Sequence, residues 1–327
     1  MNDGSPDDTS LVANAWIERD SRIRLIEQQN AGLSAARNAG IAKSNGLYIG
    51  LLDADDKYGP DFLQRVFTLL EQGFDMVCCG YTYFNTNGTI HKVVRQSEHL
   101  DFKSILTGNL FPPVALVFER KVLDRIGLFD TDLKSAEDWD LWIRMFKVEV
   151  KLSVIKDSLV FYRISDNSMS RQAFTMYEAL KNVAQRACQK DHRLSSSVVS
   201  GEDVAGELPL TVKRLLLMCM GVAVMQGKLE EAVALIYRES GDWGFELAPE
   251  DFKYMCSYLS FRYQVANDDL NWIRHELMPM FSVFFEKLAW QGLDSQKAHA
   301  AVFSIHRKLI TRKKWGIISP LINQLSW

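Results

Sequence analysis

Leu51-Leu52-Asp53-Ala54-Asp55-Asp56 is the stretch on which the reading of this chain turns. An apolar run ends abruptly in three carboxylates. Asp53 and Asp55 are two residues apart, so on an extended strand they point to the same side. Converging carboxylates are costly unless a cation or hydrogen-bond donors balance them. Oxygen-only ligands suit hard ions such as Mg2+ or Mn2+, which commonly bridge to substrate phosphates. A solvated turn fits the same residues, because Asp favours turns. The flanking sequence weighs between the two.

Outward from that point, strand and helix signals alternate. Leu47 to Leu52 reads as a buried strand. Before it, Ala31 to Lys43 reads as a helix that Asn45-Gly46 stops. Ser5-Pro6-Asp7-Asp8 looks like a helix start, with Ser as cap and Pro at the first helical position, running to about Arg19. Ile23 to Ile26 is a short strand. After the acidic cluster, Pro60 to Glu71 reads as a helix, Asp75 to Phe84 as a strand and Asn87-Gly88 as a tight turn. Pro113 to Phe118, Val150 to Ile155 and Leu159 to Tyr162 read as strands, and Ser135 to Lys147 as a helix. Such alternation predicts an α/β domain with a mostly parallel central sheet. Ligands of such sheets sit at the carboxyl ends of the strands, which is where the carboxylates after Leu52 fall.

Past about Gln172 the helical periodicities take over, at 176–190, 210–226, 229–239, 249–264, 271–291 and 295–313. The expected organisation is an α/β domain over residues 1–172 and an α-helical domain over 173–327. Asp191 to Gly206 is polar and Ser-rich and reads as a connection. No helical repeat of solenoid length is visible.

Composition limits the function classes. The chain has 327 residues, enough for two cores, and a formal net charge of -3, which gives no electrostatic case for a nucleic-acid partner. Its five cysteines, Cys78, Cys79, Cys188, Cys219 and Cys256, have no metal-ligand spacing and fit a reducing, cytoplasmic setting. No signal peptide is visible in the acidic first residues, and the most apolar stretch, Leu215 to Met225, is too short to span a bilayer. His306-Arg307-Lys308 and Arg312-Lys313-Lys314-Trp315 mix cations with apolar neighbours. They read as a solvated helix face, with a peripheral contact at the inner face of the membrane as the alternative.

Four ordered blocks carry a family resemblance: Asn2-Asp3-Gly4-Ser5, Asn30 to Gly40 (NAGLSAARNAG), Leu52 to Asp56, and Glu137-Asp138-Trp139-Asp140-Leu141-Trp142. Over roughly residues 2–171 the chain resembles the family 2 glycosyltransferases of GT-A fold. The resemblance implies inverting, metal-dependent sugar transfer from a nucleotide-sugar, most often a UDP-sugar, to a hydroxyl of a glycan or lipid-linked acceptor in surface polysaccharide or glycoconjugate synthesis. It implies that Asp3 and Arg37 bind the nucleotide-sugar, Arg37 either holding the nucleotide or orienting the acidic cluster. Asp53 would contact ribose or metal, Asp55 would ligate Mn2+ or Mg2+, and Asp138 would be the general base. The residues also admit plainer readings. Asp3 would fix a turn, Arg37 would be a surface helix cation, and Ser135 to Asp138 would start a helix with Ser135 as cap. Trp139 and Trp142 are aromatic surfaces that could stack on sugar rings, with core packing the favoured reading for Trp142.

Two departures from the family pattern carry expectations of their own. The family normally opens with a strand, a helix and a second strand ahead of the Asn2 block, so the GT-A domain is expected to be truncated at its amino terminus. Many relatives carry a metal-ligating His where Ser165 stands, which weakens the expected metal site. The competing readings are a catalytically inactive, truncated glycosyltransferase-like interaction module and a metal-dependent nucleotidyltransferase. The Glu137-Asp138 block argues against the latter.

Overall fold

The structure is a computed structural model, and it describes residues 1–84, 88, 90–164, 172–197, 199, 201–248, 251, 255 and 278–289. The chain forms two compact units. The first comprises Met1–Phe84, Val93–Ile164 and Asn182–Ala205; the second takes the remaining described residues.

The first unit opens with α1 (Thr9–Ile17), none of whose residues is buried. The helix starts later than Ser5 because Ser5 N–H is tied back to Asn2 Oδ1, while Asp7 accepts from Thr9 N–H and hydroxyl. In place of a strand at 23–26 there is a single parallel bridge between Asn2 and Glu27. Then come α2 (Leu33–Lys43), β1 (Tyr48–Gly50), β2 (Lys57–Tyr58) and α3 (Phe62–Leu70). α3 buries Phe62, Val66 and Leu70, a stripe of four-residue spacing. Next is β3 (Met76–Phe84), an apolar run with all nine residues buried, as a central strand requires. β4 (Ile90–Val94), α4 (Phe102–Leu106), a 3-10 turn at Pro113–Ala115, β5 (Leu116–Glu119), α5 (Val122–Ile126), α6 (Glu137–Lys147) and β6 (Leu152–Arg163) follow.

The strands run in the order β1-β5-β3-β6-β2, and β4, whose Val93–Val94 end belongs to this unit, pairs with β3 off that path. The expected mostly parallel sheet is corrected to a mixed one. β3–β6 is parallel, whereas β1–β5, β3–β5 and β2–β6 are antiparallel. Alternating strand and helix signals suggest parallel crossovers, but β5 enters between β1 and β3 from the opposite direction.

The two strands expected at 150–155 and 159–162 are one strand. The register against β3 slips at Gly80, where Cys79 faces Ile155 and Gly80 faces Ser158. Lys156 and Asp157 form the bulge that looked like a break in sequence. Gly80 is required there. A Cβ would sit 2.6 Å from the Val94 carbonyl oxygen and 2.7 Å from that of Lys156.

Helix α7 (Ala173–Ala187) is shared between the units, and its Asn182–Ala187 part belongs to the first. With the segment that follows, it brings a dense ionic set to the back of α6. Asp140, buried, accepts from Arg144 and from both terminal nitrogens of Arg193, and Asp130 accepts from Arg186 and Arg193. Lys147 donates to the carbonyls of Arg186 and Gln189. The polar stretch read as a connection is thus an integral part of the first unit.

The second unit contains α8 (Leu208–Met225), α9 (Leu229–Trp243) and α10 (Met278–Ala289). α8 extends the apolar stretch seen in sequence: Val204–Met225 is long and apolar enough to cross a membrane. Most of that stretch is buried inside the structure, as in the core helix of a helical bundle. Glu239 of α9 is buried and accepts from Tyr177, Lys181, Arg238 and Trp243. Burial opposes its charge, and these donors outweigh burial and hold its carboxyl below the ordinary value. The helices expected at 249–264 and 295–313, the turn residue Asn87, Ser165 and the basic clusters near 306–315 lie outside the described residues, apart from Asp251 and Met255, which are helical.

Candidate active site

Strand β1 ends at Gly50, so the alternation that would aim Asp53 and Asp55 together does not persist to them. Both stand on a turn, closed by Asp56 N–H donating to the Asp53 carbonyl at 3.0 Å. Asp55 is exposed, and its carboxylate has no hydrogen bond or ion pair among the described residues. Asp56 is buried. One of its oxygens accepts from Arg163 N–H at 2.8 Å and the other has no partner. Burial, with the charges of Asp55 and Asp53, pushes its carboxyl up to about 7. Arg163 also donates through Nε to the Asp55 carbonyl, so the end of β6 clasps the acidic turn.

Arg37 joins this turn to α6. It lies in α2, buried, with Nη1 on Glu137 Oε1 at 2.6 Å and Nη2 on Asp53 at 3.0 Å. Its guanidinium covers the Phe129 ring, 5.5 Å from the centroid. The next residue, Asn38, exchanges two hydrogen bonds with the Phe129 backbone, which fixes α2 against the loop leading to α6. Arg37 is therefore not a surface cation. A buried guanidinium needs carboxylate partners, and the fork of its donors meets two of them on different elements.

α6 begins directly after Ala136, which adopts a left-handed backbone (φ 62°) that non-glycine residues seldom take. Such a turn costs about 1 kcal/mol or more and is held only by its surroundings. Neither Ser135 nor Ala136 caps the helix with a side chain, so the expected Ser135 cap is absent. Asp138, half-buried, accepts from Asn109 Nδ2 at 2.8 Å and from Trp139 N–H at 2.7 Å. Burial pushes its carboxyl up, against the pull of Arg37 and of those two donors. Burial and the neighbouring Asp138 push Glu137 up to about 7, with Arg37 opposing. Trp139 and Trp142 are both fully buried, and Trp139 Nε1 donates to the Ile105 carbonyl. Trp139 is thus core and not a sugar platform.

Asp3 stands at the start of α2. Its Oδ1 accepts from Gln28 Nε2 and Ala31 N–H and its Oδ2 from Gly32 N–H, at 2.7 to 3.0 Å. Slight burial works against the charge, and these bonds outweigh it and hold the carboxyl below its ordinary value. The loop ahead of α2, with Gly32 at φ 89°, is organised around this carboxylate.

These residues bring together, through Arg37, an oxygen-rich turn and a carboxylate at a helix start. The sequence profile of Glycosyl transferase family 2 matches residues 1–126. A protein of Haemophilus influenzae named as an uncharacterized glycosyltransferase is 31% identical over 178 residues, which cover 53% of this chain and 70% of that protein. The chain belongs to glycosyltransferase family 2. EpsJ of Bacillus subtilis, also named as an uncharacterized glycosyltransferase, is 31% identical over 182 residues, 52% of this chain and 53% of EpsJ, so the chain spans about half the length of that relative. Among solved structures, the chain is similar to the mannosyltransferase PcManGT of Pyrobaculum calidifontis, described with GDP-Man and Mn2+. The identity is 13% and the TM-score 0.48, over 96% of this chain and 76% of that one.

Two features of this family 2 site were not read from sequence. Asn109 carries no motif, and only the fold brings it to Asp138 across 29 positions. Asp140 lay within a quoted block, but its pairing with Arg193 has no local signal.

Proposed function

We propose that this chain transfers a sugar from a nucleoside-diphosphate donor, a UDP-sugar in the first instance, to a hydroxyl of a glycan or lipid-linked acceptor, with inversion at the anomeric carbon. The observation that carries the reading is the Arg37 bridge between Asp53 and Glu137. It holds the acidic turn in fixed relation to the helix start that bears Asp138. Asp138 takes the proton of the attacking acceptor hydroxyl, as a general base poised by burial can. A single displacement on the face opposite the nucleotide inverts the sugar. Arg37 orients the acidic residues, and Asp3 shapes the loop against which the nucleotide base lies.

A divalent cation fits the turn on donor chemistry. Its ligands are oxygens only, and the exposed Asp55 carboxylate is matched by no cation among the described residues. No group of three ligating side chains occurs among the described residues, so phosphate and water oxygens must complete the shell. Asp55 and Asp53 would hold Mg2+ or Mn2+, which when bound neutralises charge on the diphosphate leaving group.

The test is Asp138→Asn. The amide cannot take the proton, so kcat should fall by about 10²–10⁴-fold, with UDP affinity and melting temperature close to those of the parent. Near-normal turnover would remove Asp138 from the mechanism.

A further inference from the structure

The loop after α4 meets the first turn of α6 at two adjacent residues. Trp139 Nε1 donates to the Ile105 carbonyl at 2.8 Å, and Asn109 Nδ2 donates to Asp138 Oδ2 at 2.8 Å. The loop is held from behind as well. α4 starts with a reciprocal Asp101–Ser104 capping box, Gln96 Nε2 donates to the Leu110 carbonyl at 3.1 Å, and Phe111 is buried with its ring 6.0 Å from that of Trp142. Between these anchors Gly108 has φ 151°, a positive angle that favours glycine, and it turns the chain out of α4 so that Asn109 follows.

We propose that Asn109 is a positioning residue for transfer: its amide holds Asp138 Oδ2 and thereby fixes the rotamer in which the carboxylate meets the acceptor hydroxyl. The proposal rests on the reading of Asp138 as general base. A carboxylate in its ionised form only accepts hydrogen bonds, so the amide nitrogen of Asn109 must face it. Without that bond, Asp138 keeps one bond, from the Trp139 N–H directly following it, and that contact alone leaves the side chain free to turn. Asn109 is itself exposed, unlike the buried Trp139, so its loss leaves the packing of α4 on α6 in place. A base out of line by about an ångström costs on the order of 10²-fold in rate.

The experiment measures Asn109→Ala, Asp138→Asn and the double variant of the whole protein. UDP-sugars serve as donors, a panel of p-nitrophenyl glycosides as acceptors, and UDP with Mg2+ as the binding probe. The expected result for Asn109→Ala is a kcat lower by on the order of 10²-fold, with donor KM, UDP affinity and melting temperature unchanged. In the Asp138→Asn background the same substitution should cost almost nothing, because it acts through Asp138. A second readout needs no turnover: the Asn109 side-chain amide resonance should shift on Asp138→Asn while the amides of other asparagines stay in place. An unmoved resonance, a full loss of rate in the Asp138→Asn background, or an unchanged kcat in Asn109→Ala overturns the positioning role. Normal turnover in Asp138→Asn overturns the base reading itself, and the positioning role with it.

Discussion

Replacing Arg37 by Met keeps most of the side-chain volume against Phe129 and removes the charge. Glu137 then stays buried with no cation, beside Asp138 and near Asp53. Breaking a buried ion pair from one side costs about 3–5 kcal/mol. The second contact, to the half-exposed Asp53, adds at most about 1 kcal/mol because solvent screens it. For a unit of this size each kcal/mol moves the melting temperature by about 2–4 °C, so a drop of up to about 10 °C is expected near pH 8, where Glu137 is ionised in the parent, and a smaller one at pH 7, where that carboxyl is half-protonated. The sign of the pH dependence follows from Glu137, whose carboxyl sits at about 7 in the folded chain against an ordinary 4.5. A raised carboxyl contributes stability that is fully present below about 4.5 and is lost as pH rises through the folded value. Removing Arg37, which opposes the shift, drives that value higher and deepens the loss. The deficit of Arg37→Met should therefore be small at pH 5 and largest near pH 8. Thermal melts at both pH values measure it, and adding Glu137→Gln should restore most of the loss at pH 8. A deficit that is equal at pH 5 and pH 8, and untouched by Glu137→Gln, would refute the electrostatic account.

Further outcomes follow from the same site and from the sheet. Calorimetry should show UDP binding that weakens on chelation of divalent metal and in Asp55→Ala; equal affinity in all three cases removes the cation from the turn. Burial raises the Asp138 carboxyl, so kcat/KM should climb with pH along a limb above the ordinary carboxylate range, and a limb at or below pH 4 contradicts this. Gly80→Ala puts a methyl group within 3 Å of three backbone oxygens and should cost about 2–3 kcal/mol, read as a lower melting temperature. A melt unchanged within error means the bulge relaxes at no cost.

The parts of this fold that were legible in sequence are those set by local chemistry. β3 announced itself by nine consecutive residues fit for burial, and α2 and α6 by their periodicity and flanking turns. Strand direction was not legible, because a stretch such as Leu116–Glu119 pairs equally well either way and only its entry into the sheet decides. The site divided along the same line. Arg37, Asp53, Asp55 and Asp138 stand in recognisable blocks, but a turn at Asp53 takes the place of the extended geometry that would aim the carboxylates together. The side-chain partners of these residues come from 16 to 100 positions away, as in Arg37–Asp53 and Arg37–Glu137, and a single sequence has no local signal for such pairs. The bulge at Lys156–Asp157 misled in another way, since polar residues in an apolar run look like a strand end when they are an insertion.

The return of Asn182–Ala205 to the first unit bears on how such a chain can change over evolution. The polypeptide leaves that unit after Phe84 and again after Ile164, and re-enters at Val93 and at Asn182. Gene fusion or exchange works with cassettes, and a cassette needs one junction on each side. Here a crossover near residue 172 would swap the helical part and carry Arg193 away with it, stranding Asp140 with half of its cationic partners. Descendants of this chain that keep the site are therefore expected to diversify the helical part by point substitution and by insertion in its loops, and to inherit the two units together.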